Sequence, residues 1–287
     1  MRRAAFLLAA AAVFLATAAA APADRSIVAG QMSGIVPAKG AGKARSSSPL
    51  LLYHGGAVMT STAVTSIFWG PSWANSSFSG DKLSGLDSFY SGAGHSAYLG
   101  TNSEYYGTNG AVGTSVSSSG HLVDTSSVTF KRQPQTSDIL NEVAKMISNP
   151  VPNGYYPVYT DVPRGNVGYC AWHSFGTISG VPVQFAFFYE LDGDPGCDPG
   201  PPYYGHSQGL AALANVSGHE LSETLTDPRN GGWWDASGNE NADKCAWTFS
   251  GNPITFGGTS WRIQGNFSNN AYNSRSGYDG AGCIDGT

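Results

Sequence analysis

The sequence predicts a single α/β or α+β domain built on a mixed, mostly buried central sheet. Three observations lead there. Residues 63–69 (Ala-Val-Thr-Ser-Ile-Phe-Trp) and 181–190 are apolar, aromatic and β-branched runs, as expected of buried strands. Residues 137–148 and 210–226 carry apolar side chains at helical spacing, so each has a face to lay on such a sheet. No internal repeat or second boundary interrupts residues 50–287, so that span is one domain with a sizeable core.

Residues 1–23 read as an export signal. Arg2 and Arg3 precede an alanine-rich apolar run, and Ala18-Ala19-Ala20 and Ala21-Pro22-Ala23 both offer small-residue cleavage sites. The expected product is a secreted monomer beginning at Ala21 or Asp24, with no membrane segment. Residues 24–49 are rich in Gly, Ala, Ser and Lys and are expected to form a disordered leader or pro-segment.

Order is expected from residue 50. Gly70-Pro71 stops the strand at 63–69. Leu83, Leu86, Phe89 and Tyr90 recur at helical spacing and predict a helix over 79–90. Strands are expected at 96–106 and 121–131. The helix at 137–148 presents Ile139, Leu140, Val143, Met146 and Ile147 on one stripe, with Ser137 as cap and Asn149-Pro150 as stop. Further strands follow at 155–162, 166–172 and 181–190, then a Gly/Pro/Asp loop over 192–202.

Along the helix at 210–226, Leu210, Leu213, Ala214, Ser217, Leu221 and Leu225 mark a buried face, and Ala212, Val216, His219 and Glu223 a second stripe. Gly218 costs about 1 kcal/mol relative to Ala in a helix, so it is expected to admit a neighbouring backbone. Pro228 ends the element.

Charged residues make up only 12% of the chain and the formal net charge is −5. No dense basic cluster is present to follow a phosphate backbone, so nucleic acid is excluded as a partner. The four cysteines are even in number, as in a disulfide-bonded exported protein. Of the three pairings, Cys170–Cys197 with Cys245–Cys283 is preferred.

The stretch that carries chemistry is His219-Glu220-Leu221-Ser222-Glu223, just ahead of Thr226-Asp227-Pro228. Residues four apart share a helix face, so His219 and Glu223 can grip one cation. The layout is that of H-E-x-x-H zinc hydrolases with a carboxylate in place of the second histidine, and Glu220 stands where the general base would be. A third ligand is needed: Asp243 and His173 rank ahead of Asp227 and His206.

Zinc is the expected ion. The oxygen-rich loop 235–243, with its central Gly238, offers calcium a second possibility. Gly205-His206-Ser207-Gln208-Gly209 has the outline of a nucleophile elbow, but no strand feeds it directly. Trp233, Trp234, Trp247 and Trp261 would suit glycan rings if exposed, though core packing is their commoner role.

In their order along the chain, several segments resemble the exordium or phosphate-induced protein 1 family. They are Tyr53-His54-Gly55-Gly56, residues 64–70, Tyr169-Cys170-Ala171-Trp172-His173, the Cys197 loop, Tyr204-Gly205-His206-Ser207-Gln208, residues 213–234 and the last two cysteines. The resemblance spans residues 53–283 and implies a secreted protein; plant members are apoplastic and associated with growth. Plant members generally carry apolar or small residues where His219 and Glu220 stand. Microbial relatives look like this chain, with H-E-L-x-E-x-x-T-D-P, then Gly-Trp and an acidic residue before cysteine. Here those are Gly232-Trp233 and Asp243-Lys244-Cys245. The expectation is a secreted zinc peptidase acting on extracellular protein or peptide. The rival is a noncatalytic extracellular or cell-wall protein with a structural metal or a glycan ligand.

Overall fold

The computed structural model describes residues 25–41 and 49–287. The export signal read in residues 1–23 lies outside the described residues. Six strands share one mixed sheet: β1 (Ile27–Pro37), β2 (Thr62–Trp69), β3 (Val116–Asp124), β4 (Gly154–Pro163), β5 (Tyr169–Ile178) and β6 (Val181–Glu190). Their order is β1-β5-β6-β4-β2-β3. Strands β6, β4, β2 and β3 run parallel, β5 pairs antiparallel with β6, and β1 antiparallel with β5. The central strands bury Val64, Ile67, Phe68, Val158, Tyr159 and the Phe185–Phe188 run, as a sheet covered on both faces requires.

Three longer helices cover it: α1 (Lys82–Ala93), α2 (Thr136–Met146) and α3 (Gln208–Thr226). Side chains alternate across a strand, and β5 shows which helix lies on which side. Gly176 faces Leu140 of α2, whereas His173, of opposite parity, comes within 3.8 Å of Glu223 on α3. The molecule is therefore layered helix, sheet, helix, with α1 packed beside α3. A neighbouring element explains Gly218: an added Cβ would meet the Tyr98 hydroxyl at 2.9 Å. The close approach is that of a side chain, not of the backbone that the sequence suggested.

Disorder was the expectation for residues 24–49, yet Ile27–Pro37 forms the edge strand β1. Gly, Ala and Ser dominate the composition of that segment. The β-branched Ile27, Val28, Ile35 and Val36 nevertheless find a partner in β5, and Val36 is wholly buried. Long-range pairing overrides the local signal. The strand expected at 96–106 is instead a short helical turn, Ala97–Gly100, followed by turns. Ser96 caps that turn by accepting the Leu99 N–H, a local hydrogen bond that competes with extended pairing. Helix α2 begins one residue earlier than read, and the Asp138 carboxylate accepts the Gln135 N–H where Ser137 was expected to cap.

Both preferred disulfides are present, Cys170–Cys197 and Cys245–Cys283, and such bonds belong to an oxidising environment. No helix among the described residues is long and apolar enough to cross a membrane.

Candidate metal centre

Helix α3 starts at Ser207, whose side chain accepts the Leu210 N–H and also engages Asp81. The serine of the elbow-like sequence is thus a helix cap. Every residue from Gly209 to Thr226 is buried, the polar ones included. Buried polar groups need partners, and several have them. The Tyr159 hydroxyl lies 2.7 Å from Ser217 Oγ and 2.8 Å from the Tyr90 hydroxyl. Asn102 Nδ2 reaches Ser222 Oγ, and Asn215 Oδ1 accepts the Gln264 N–H.

The His219–Glu223 turn is different. His219 Nε2 lies 2.9 Å from Glu223 Oε1 and 3.5 Å from Asp243 Oδ1. Across the turn, His173 Nε2 lies 3.3 Å from Glu240 Oε1 and 3.8 Å from Glu223 Oε2. Yet none of these contacts is aligned as a hydrogen bond. His219 Nε2, both ring nitrogens of His173, both oxygens of Glu220 and Glu223 Oε2 are buried without a hydrogen-bond partner among the described residues.

Donor atoms that crowd together without bonding to one another are aimed at a shared point. Two groups result, each with all its ligand atoms within 4.8 Å: His219, Glu223, Asp243 and His173, Glu220, Glu223. Both could hold a metal ion, and Glu223 belongs to both. The spacings fit the chemistry. Ligands about 2.0–2.1 Å from a tetrahedral zinc stand about 3.3 Å from each other, in the middle of the separations found here.

Protonation follows from burial. Desolvation, helped by His219, pushes the His173 imidazolium down to about 3, so at neutral pH its ring is uncharged with a lone pair to give. Burial works to lower His219 as well, but Glu223 and Asp243 carry it up to about 10. Desolvation raises Glu220 and Glu240 well above the ordinary carboxylate range, and with Asp243 it raises Glu223 to about 7. A divalent ion would compete with these protons for the same atoms.

All five residues singled out in the sequence, His173, His219, Glu220, Glu223 and Asp243, meet here. Asp227 does not: its Oδ1 accepts the Gly231 and Gly232 N–H groups and shapes the chain beyond α3. His206 stacks on Trp261 instead. In the loop offered to calcium, Asp235 is engaged by Ser237, Asn239 and Lys244. Of the tryptophans, Trp261 and Trp233 are core residues, and Trp234 stacks on His54.

Two residues were missed. Glu240 sits three before Asp243, and the acidic alternation of that loop was the available signal. Gln264 gave none. Its side-chain nitrogen lies 2.9 Å from His219 Nδ1 and donates to the Ala242 carbonyl, while its oxygen accepts the Trp247 N–H. Ligation through Nε2 leaves the His219 proton on Nδ1, where it needs an acceptor. A half-turn of the Gln264 amide would supply one at the expense of its two backbone contacts.

The disulfides brace the segments that carry the outlying donors. Cys170 lies three residues before His173, and Cys245 two residues after Asp243. Comparison with family models, curated proteins and solved structures finds no match to this chain.

Proposed function

We propose that this chain is an exported zinc-dependent peptidase, with His219, Glu223 and Asp243 as ligands and Glu220 as general base. One observation carries the reading: buried imidazole and carboxylate donors converge at ligand spacing without satisfying one another. When bound, zinc would supply Lewis acidity that polarises the carbonyl and lowers the pKa of water to about 7. Glu220 takes a proton from the water that attacks the scissile carbonyl. It then returns that proton to the leaving amine as the C–N bond breaks, so one water is consumed per bond. His173 lies beside the centre, 3.3 Å from Glu240 and 3.8 Å from Glu223.

The test is Glu220→Gln in zinc-loaded protein. Hydrolysis of an unstructured protein substrate should fall by about 10²–10⁴-fold, while zinc content by mass spectrometry stays at the wild-type level. Undiminished hydrolysis refutes the assignment. Complete burial of His173, His219, Glu220 and Glu223 favours a second reading: a noncatalytic exordium-like extracellular protein in which the metal is structural. Chelation would then lower the melting temperature of a protein that never hydrolyses anything.

A further inference from the structure

Over His173 and Glu223 the centre is covered, and what covers it is β1. Gly34 lies directly over the donors, where an added Cβ would overlap Glu223 Oε2 and the His173 ring. The Gly34 N–H donates to Glu240 Oε1 at 3.2 Å, so this strand also bonds one of the carboxylates beside the donors.

Three features mark β1 as a detachable occupant of this place. It is an edge strand, bonded on one side only, to β5. Its register with β5 shifts at three points within eleven residues, whereas β5 and β6 pair without a shift from Ala171 to Ile178. A cleft of about 520 Å³ runs along it, lined by Gln31, Gly34, Pro37, Trp234, Glu240 and Asp243. Lifting β1 would open this cleft onto His173, Glu220 and Glu223.

Resting on the peptidase reading, we infer that β1 occupies the substrate's position. The substrate is an extended polypeptide that adds as an antiparallel strand to the β5 edge, with glycine where Gly34 now lies. Strand addition supplies main-chain hydrogen bonds without regard to sequence. Specificity enters at the glycine, because any side chain there meets Glu223 and His173. The folded chain is latent, since its own strand is tethered and competes at an effective concentration in the millimolar range, roughly.

The experiment uses the full zinc-loaded chain carrying Glu220→Gln, and a fluorescent peptide of sequence Ile27–Pro37. One form adds Val28→Cys and Thr177→Cys at directly paired positions, so oxidation locks β1 in place. The native cysteines are at most 2% exposed, so mild reductant reaches the added pair first. A second form adds Gly34→Val, which drives β1 off the donors.

The Gly34→Val chain should bind the peptide at least tenfold more tightly than the oxidised, locked chain. Reduction of the locked chain should raise binding measurably, to a level still below that of the Gly34→Val chain, and a peptide with valine in place of its glycine should bind at least tenfold more weakly. Equal binding by locked and reduced chains overturns the inference, as does indifference to the glycine. If Gly34→Val fails to fold, the locked and reduced pair decides alone. These readouts need no turnover. Binding as stated, with no hydrolysis by any chain bearing Glu220, keeps the strand-addition site and removes the peptidase.

Discussion

Two acidic clusters in this protein solve the same problem differently. Near the end of β3, Asp124 and Glu142 share Lys145, whose ammonium contacts both carboxylates and is half exposed. Under β1, Glu220, Glu223 and Glu240 have no Lys or Arg in an ion pair with them among the described residues; the ion-pair contacts of Glu223 and Glu240 are with His173 and His219. An isolated buried charge costs several kcal/mol even after relaxation. The outer cluster carries its own cation. The inner one must hold protons or take a cation from outside, and its geometry suits a metal.

The largest expected effect follows from that contrast. Zinc at a hundredfold excess over its Kd stabilises the folded state by about 2.7 kcal/mol. For a domain of this size that raises the melting temperature by about 5–10 °C. Differential scanning fluorimetry with zinc and then with a chelator reads it directly. A melting temperature indifferent to both would remove the distinction between the clusters.

Glu223→Gln sharpens the comparison at a single residue. The amide keeps an oxygen for the Asp243 N–H, which now donates to Glu223 Oε1 at 2.9 Å. It also removes a buried charge shared by both donor groups. The metal-free variant should therefore melt near the wild type, or slightly above it, while the rise caused by zinc disappears. A variant that still gains the full zinc increment would show that the ion is held elsewhere.

How much of this was legible depended on range. Strand β6 follows from its own composition and has the expected bounds, and α3 begins within two residues of its expected start. His219, Glu220 and Glu223 could be named because one helix carries all three. Asp243 and His173 were reachable because each sits beside a cysteine that had to be anchored. Gln264 was not, since it meets His219 from 45 residues away through a connection with no local signature. Strand β1 was hidden for a related reason: an edge strand draws its order from the neighbour it pairs with, and composition averaged over 24–49 says nothing of β5.

The outer cluster gives the smallest prediction and a check on the reasoning behind the others. Burial, then the neighbouring Asp124, raises Glu142 from 4.5 to about 7 against the pull of Lys145. The folded state therefore holds this proton more tightly than the unfolded chain does. Its contribution is complete below about 4.5 and is lost as pH climbs from there through about 7. Glu142→Gln is neutral at every pH, so its melting temperature should decline less than that of the wild type between pH 4.5 and 7.5. The difference should be a few degrees at most, because Lys145 keeps partial hold of the ionised carboxylate. Zinc should leave this slope unaltered, since the cluster already has its cation. An unchanged slope in the glutamine variant would mean that Glu142 is ionised throughout. The two clusters would then differ only in depth, not in how their charge is balanced.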